Sequence, residues 1–174
     1  MVTGMPSTLR RSLRHLFTTA WTVRSAFPPD TLDRIEAAIR DSETRHGGQI
    51  RFAVEHSLDA REVLRGLPAR ARAIEVFGEL SVWDTERNNG VLIYFLLADR
   101  DFEIVGDRGI HAHVGPEGWE EIARGMEERL RDGDFESATI WGIQAVGARL
   151  RDHYPAGAGG PGGRGGLSDR PIVL

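Results

Sequence analysis

Residues Trp83 to Gly109 read WDTERNNG, then VLIYFLLA, then DRD, then FEIVGDRG. The unbroken apolar run from Val91 to Ala98 is rich in β-branched and aromatic side chains, which suits a central strand buried on both faces. Asp99-Arg100-Asp101 is a polar turn, and Phe102 to Val105 is the returning strand, so the pair predicts a hairpin. Polar residues collect at the ends of both runs, where a rigid scaffold can hold them in fixed geometry. The stretch that decides the fold therefore also carries the best candidate site.

Upstream, Gln49 to Glu55 alternates apolar and polar side chains as a strand does. Residues 60–79 predict a helix in two pieces around Pro68, with Ala73, Ile74, Val76, Phe77 and Leu80 on its buried side. A right-handed crossover through this helix should carry the 49–55 strand to the hairpin. Asp30 or Thr31 can cap a helix over about residues 31–46, with Leu32, Ile35, Ile39 and Glu43 as candidates for its faces and His46-Gly47-Gly48 as its stop. Downstream, Pro116 opens a helix to about Arg131, and Asp132-Gly133-Asp134 ends it. Residues 135–153 predict the last helix. The expected fold is α/β: a three-layer α/β/α sandwich with a small mixed sheet and helices on both faces.

Three segments follow from this order. Residues 1–29 form a basic amphipathic helix and linker, residues 30–153 the α/β domain, and residues 154–174 a glycine-rich tail. Leu9, Leu13, Leu16, Phe17 and Trp21 share one helical face, with arginines opposite. The expectation is a helix that docks Leu13, Leu16, Phe17 and Trp21 on the domain. The alternatives are a membrane-surface helix whose arginines contact anionic lipid, and a transit peptide. The tail holds seven glycines between residues 157 and 166 and reads as flexible. Its apolar end, Pro171 to Leu174, either frays or adds as a strand to the peptide groove of a protein partner.

Composition narrows the chemistry. Among 174 residues there is no cysteine, which excludes disulfides, thiolate zinc sites and a cysteine nucleophile. All 22 basic residues are arginine, which excludes a Schiff-base lysine and a lysine-dependent phosphate loop. The net charge is −4, yet residues 1–29 hold four arginines and no acid. The remainder carries 18 arginines against 26 acids, a formal −8, which argues against nucleic acid as a partner. No apolar run approaches transmembrane length and no secretory signal is evident, so the expected compartment is the cytoplasm, with membrane association through residues 9–21 as its variant.

Asp84, Glu86, Asn88 and Asn89 offer hard oxygen donors, suited to Ca²⁺ or Mg²⁺. A hairpin puts Asp99 and Asp101 at one end and Asp107 at the other. The 81–89 loop enters at the Asp107 end, so the predicted metal cluster is Asp84, Glu86, Asn88 and Asp107, with Arg108 beside it. The alternative is a solvated loop with capping residues. Asp99-Arg100-Asp101 is a charged turn or a second site. His111 and His113 read first as surface or hydrogen-bonded histidines; two apart, in an extended segment they would point the same way and could join Asp107 in a site for zinc or another transition metal, and proton transfer is the third reading. Ser57, Ser81 and Ser137 lack a nucleophile-elbow pattern, and no phosphate-loop or dinucleotide motif occurs.

Several short motifs come in a recognisable order. Asn89-Gly90 precedes Val91-Leu92-Ile93; Asp99-Arg100 makes the turn; Ile104-Val105-Gly106-Asp107-Arg108-Gly109-Ile110 follows; Asp134-Phe135-Glu136-Ser137-Ala138 opens the final helix. This series resembles the TPM-domain family over about residues 30–153. The resemblance implies a compact α/β/α sandwich, calcium binding in some members and weak acid phosphatase activity in others. The glycine motif departs from the family's Gly-x-Gly, and no secretion signal or C-terminal membrane helix is seen. The leading expectation is a module that binds a divalent cation and serves regulation or partner docking. The alternative is a metal-assisted acid phosphatase. There a cation and Arg108 stabilise the phosphoryl charge, and Asp107 acts on water or the leaving group. A structural or interaction protein without ligand is the third reading.

Overall fold

The computed structural model describes residues 7–156 and 167–174. In chain order the elements are α1 (Ser7–Phe17), α2 (Ala20–Ala26), α3 (Pro29–Glu43), β1 (Gln49–Glu55), α4 (Ala60–Leu64), α5 (Ala69–Glu79), β2 (Gly90–Leu96), β3 (Asp101–Gly106), α6 (Arg108–Leu130), α7 (Phe135–His153) and β4 (Ile172–Val173). The sheet order is β3-β2-β1-β4. β1 runs parallel to β2, with Gln49 opposite Gly90, and β2 pairs antiparallel with β3, with Val91 opposite Gly106.

Every residue of β2 is buried, as its unbroken apolar run requires. Its two faces feed different cores. Ile93 and Phe95 join Ile50, Phe52 and Val54 under α2, α3, α6 and α7, while Leu92, Tyr94 and Leu96 join Ala53 under α4 and α5. Helices thus cover both faces of a mixed sheet. Phe27 anchors the larger core, with ring centroids 5.3 Å from both Phe52 and Phe95 and 5.4 Å from Phe135. Aromatic pairs at this spacing add stabilisation beyond their buried area. Pro28 and Pro29 then end one helix and open the next.

Several polar groups within these layers are matched. On the α5 face the Tyr94 hydroxyl donates to Glu55 at 2.5 Å, and Arg72 bonds the same carboxylate at 3.0 Å. Asp134 caps α7 by accepting from Ser137 N–H at 2.9 Å. Asp59 caps α4, and Glu62 completes the reciprocal box.

The N-terminal segment differs from expectation in two respects. Residues 9–21 are not one helix, because α1 stops at Phe17 and α2 starts at Ala20. The docked side is also the polar one. Arg11 donates to Asp99 and to the Leu67 carbonyl, and His15 is buried between Asp99 and Leu58 N–H. Leu16, Phe17 and Trp21 are 72–76% exposed, and Leu9 and Leu13 also face outward. A bidentate ion pair and a buried histidine, not apolar contact, fix the helix.

The chain end also departs from a free tail. Leu167 to Leu174 lie along the edge of β1, where Ile172 pairs with Ala53 and Leu174 N–H donates to Val54 O at 2.9 Å. The sheet edge to which this strand adds is the chain's own β1. The glycine-rich stretch 157–166 lies outside the described residues.

Candidate functional site

At one end of the sheet, β1 and β2 begin and β3 ends. Backbone ties draw the segments together: Gln49 N–H donates to Asn89 O, and Asp107 N–H donates to Gly90 O at 2.8 Å. Asn89 is buried, and its Nδ2 donates to Gly47 O at 3.0 Å while Thr85 Oγ1 accepts its backbone N–H. Asn88 has φ 51°, a left-handed conformation that Asn tolerates better than most residues. Gly90 follows because a Cβ there would sit 2.0 Å from Val82 O. The Asn-Asn-Gly sequence is thus explained by one polar anchor, one left-handed residue and one close backbone approach.

Asp107 caps α6, its Oδ1 accepting from Arg108 N–H at 2.7 Å. The residue is 9% exposed, and its Oδ2 is buried without a hydrogen-bond partner. Beside it the chain leaves a cradle at Gly109. A Cβ added there would meet Asn88 O at 2.5 Å, Arg87 O at 2.8 Å and Tyr154 Oη at 2.9 Å, so only glycine permits this close approach to the 87–88 backbone. Burial pushes the Tyr154 phenol up, with Arg87 opposing and Asp107 adding to the rise. Arg87 lies over the Tyr154 ring, 4.9 Å from its centre, and the exposed Arg108 reaches Asn88 Oδ1 at 3.4 Å. This end therefore offers one buried carboxylate oxygen, a close backbone approach at Gly109 and two arginines at the rim.

The structure joins some of the anticipated residues and separates others. Asn88, Asn89, Asp107 and Arg108 share this end, as hairpin geometry requires. Asp84 and Glu86 are exposed on the loop. Among the described residues no group of three or more His, Asp or Glu side chains comes together to hold a metal. His111 and His113 do not lie in an extended segment; both sit on α6, which starts at Arg108 and kinks at Gly115, φ 70°. A helix rotates residues two apart to different sides. His111 Nδ1 accepts from Trp119 Nε1 at 3.1 Å, whereas His113 stacks on His153 with ring centroids 4.6 Å apart. Asp99 lies at the far end and is engaged by α1.

Sequence reasoning missed Tyr154 and Arg87, because Tyr154 follows α7 and reaches this end only through tertiary packing. It also missed the Glu43, Arg51 and Asp169 group at the β1 edge. Burial raises the Glu43 carboxyl to about 7, while Ile50 N–H donation opposes and Asp169 adds to the rise.

With this geometry in place, similarity to known proteins is informative. The TPM domain profile matches residues 24–149. The chain belongs to the TPM domain family. The solution structure of the BA42 protein from the psychrophilic bacterium Bizionia argentinensis is similar at 27% identity and a TM-score of 0.73, covering 83% of this chain and 93% of that one. No curated protein matches. The TPM domain fold is the mixed sheet between helical layers described above. No helix among the described residues is long and apolar enough to cross a membrane.

Proposed function

We propose that this TPM domain is a binding module that holds one divalent cation, Ca²⁺ or Mg²⁺, at Asp107. The observation that carries the reading is the buried, unpartnered Asp107 Oδ2. A carboxylate oxygen removed from water without a partner is costly, and a cation supplies the missing charge. Arg87 O, Asn88 O and Tyr154 Oη, which surround Gly109 two residues further on, are hard neutral oxygens of the kind calcium accepts alongside a carboxylate. Asn88 and Asn89 shape the site, whereas Asp84 and Glu86 face solvent. An all-oxygen donor set suits Ca²⁺ or Mg²⁺ better than a transition metal that prefers nitrogen or sulfur.

The acid phosphatase alternative rests on Arg108 at the rim, where a phosphoryl group bridging cation and guanidinium would find both charges. One experiment separates the two. Calcium and magnesium are titrated calorimetrically into the protein and its Asp107→Asn and Asp84→Ala variants, and p-nitrophenyl phosphate hydrolysis is followed with and without cation. Asn preserves the α6 cap, so lost binding in that variant reports on charge rather than folding. Binding that survives Asp84→Ala and disappears in Asp107→Asn fits the module. Cation-dependent turnover abolished by Arg108→Ala fits the phosphatase. Equal binding by Asp107→Asn and the parent chain would refute the site.

A second reading concerns docking, and the exposed apolar face of α1 and α2 favours it. Leu9, Leu13, Leu16, Phe17 and Trp21 sit in water among Arg10, Arg14 and Arg24, with no acid in the first 29 residues. Aliphatic and aromatic groups with surrounding arginine complement an anionic lipid surface. Clefts of about 530 Å³ beside Leu16 and 520 Å³ beside Trp21 extend this apolar surface. Sedimentation with phosphatidylserine vesicles tests it. Binding equal to that on neutral vesicles would argue against the charge match.

A further inference from the structure

The edge of β1 holds a short peptide strand, supplied by the chain's own residues 167–174. Ile172 and Val173 pair in parallel with Ala53 and Val54. Leu174 N–H donates to Val54 O at 2.9 Å, and the Leu174 carbonyl lies 3.0 Å from His56 Nδ1. Leu167, Ile172 and Leu174 pack on the apolar core between sheet and α5, while Val173 is half exposed. Alternate side chains enter pockets and the intervening one faces water, as in strand addition by a peptide.

The upstream half of the segment is read by charge. Arg51 on β1 is 8% exposed, and its Nε and Nη1 have no hydrogen-bond partner. The acids acting on it are Asp169 of the tail and Glu43 of α3. Arg40 Nε also lies 3.5 Å from the Asp169 carboxylate, and Leu167 N–H donates to Gln49 Oε1 at 2.5 Å. A buried guanidinium with free donors is a built receptor for an acidic side chain.

The connection to this strand is far longer than closure requires. Pro155 is bridged to His46, and Leu167 is tied to Gln49, three residues further along the chain. Those anchors are at most about 11 Å apart by backbone reach, while the twelve residue steps from 155 to 167 can extend to roughly 40 Å. Only two residues of the segment form ladder pairs. A long connection and a short ladder describe an intramolecular ligand, not a core strand.

We propose that the β1 edge is a binding site for an extended peptide segment of a partner protein, and that residues 167–174 occupy it in cis as a competitor. The ligand class follows from the contacts: two apolar residues two apart and an acid three before the first of them, as in Asp169-Arg170-Pro171-Ile172-Val173-Leu174. The two apolar positions pack on the core between sheet and α5, and the acid lies within ion-pair reach of Arg40 in the field of the buried Arg51. A tethered competitor acts at millimolar effective concentration and raises the threshold for any partner.

The probe is a fluorescent synthetic peptide of residues 167–174, titrated by anisotropy into the full chain and into a full-length Ile172→Asp/Leu174→Asp variant whose own tail cannot dock. The variant should bind the peptide, and the parent chain should bind it at least about tenfold more weakly. A peptide with Asn at the position of Asp169 should bind the variant less tightly. Should the double variant fail to melt cooperatively, Leu174→Asp alone takes its place. No binding by the tail-released chain, or equal binding by both chains, would overturn the proposal. So would a dimer of the parent chain that the substitutions dissolve, since a second copy would then be the occupant.

Discussion

The Arg11 guanidinium grips the Asp99 carboxylate through Nε at 3.0 and 3.1 Å and through Nη2 at 2.7 Å, joining residues 88 apart in sequence. Burial alone would raise the Asp99 carboxyl, but the Arg11 and His15 hydrogen bonds outweigh it and hold the group below its ordinary value. Asp99 thus serves the fold, as the anchor of α1. Asp99→Ala strands two donors, one of them on the buried His15, and should cost about 2 kcal/mol in urea denaturation. The loss should track release of α1, read as new amide exchange over residues 9–17. Unchanged stability would show that the pair is ornamental.

Because α1 docks by its polar side, its apolar side is open to substitution. Leu16→Asp, Phe17→Asp and Trp21→Asp should each change stability by less than about 0.5 kcal/mol, since these side chains are exposed in the fold. The triple variant should lose binding to phosphatidylserine vesicles. A large drop in melting temperature would mean that these residues are buried against another part of the protein in solution.

The sequence-to-structure comparison has a physical pattern. Local signals held: the 135–153 helix, the break at Pro68, and the hairpin from Val91 onward follow from caps, glycine, proline and an unbroken apolar run. Hairpin geometry also placed Asp107 with the 81–89 loop and apart from Asp99. The failures are long-range. Periodicity marks an apolar face on residues 9–21 but cannot say that Arg11 and His15, also one turn apart, have a better partner in Asp99. Residues 172–174 look like a frayed end until β1 supplies an edge. His111 and His113 are the surface or hydrogen-bonded histidines expected, but on a helix and not in an extended segment, because the Asp107 cap that starts α6 at Arg108 resembles the end of a strand. The Arg11 and His15 spacing was the one available signal for the inverted docking.

Two glycines should respond in opposite directions. At Gly90 a Cβ would meet Val82 O at 2.0 Å, a backbone atom that cannot move without opening the loop. Gly90→Ala should cost about 3 kcal/mol and disturb Asn89 with it. Gly78 in α5 is exposed, and a Cβ there meets nothing within 4 Å. Gly78→Ala should stabilise by about 0.5–1 kcal/mol through helix propensity. Thermal melts of the pair check both signs, and a stable Gly90→Ala protein would disprove the close approach as the reason for that glycine.

Glu43 gives the fold a distinct pH signature. Its Oε1 accepts from Ile50 N–H at 2.8 Å, beside Asp169 and the buried Arg51. Burial raises its folded value to about 7, from an ordinary 4.5. A raised carboxyl holds its proton better in the folded state, so its contribution is full below the unfolded value and is lost as pH rises toward 7. His46 works in the other direction. Burial lowers it to about 4, so its contribution is lost as pH falls from about 6.5. The two slopes oppose each other between pH 4.5 and 6.5, and the melting temperature of the parent chain alone would hide both. Glu43→Gln removes one of them while keeping an acceptor for Ile50 N–H. Its stability relative to the parent should be near zero at pH 4.5, grow with pH, and level off above 7 at about 3 kcal/mol in favour of the variant. Urea titrations of both proteins at pH 4.5, 6 and 8 measure the difference directly. A difference that stays flat with pH would show that Glu43 ionises as freely in the folded chain as in the unfolded one.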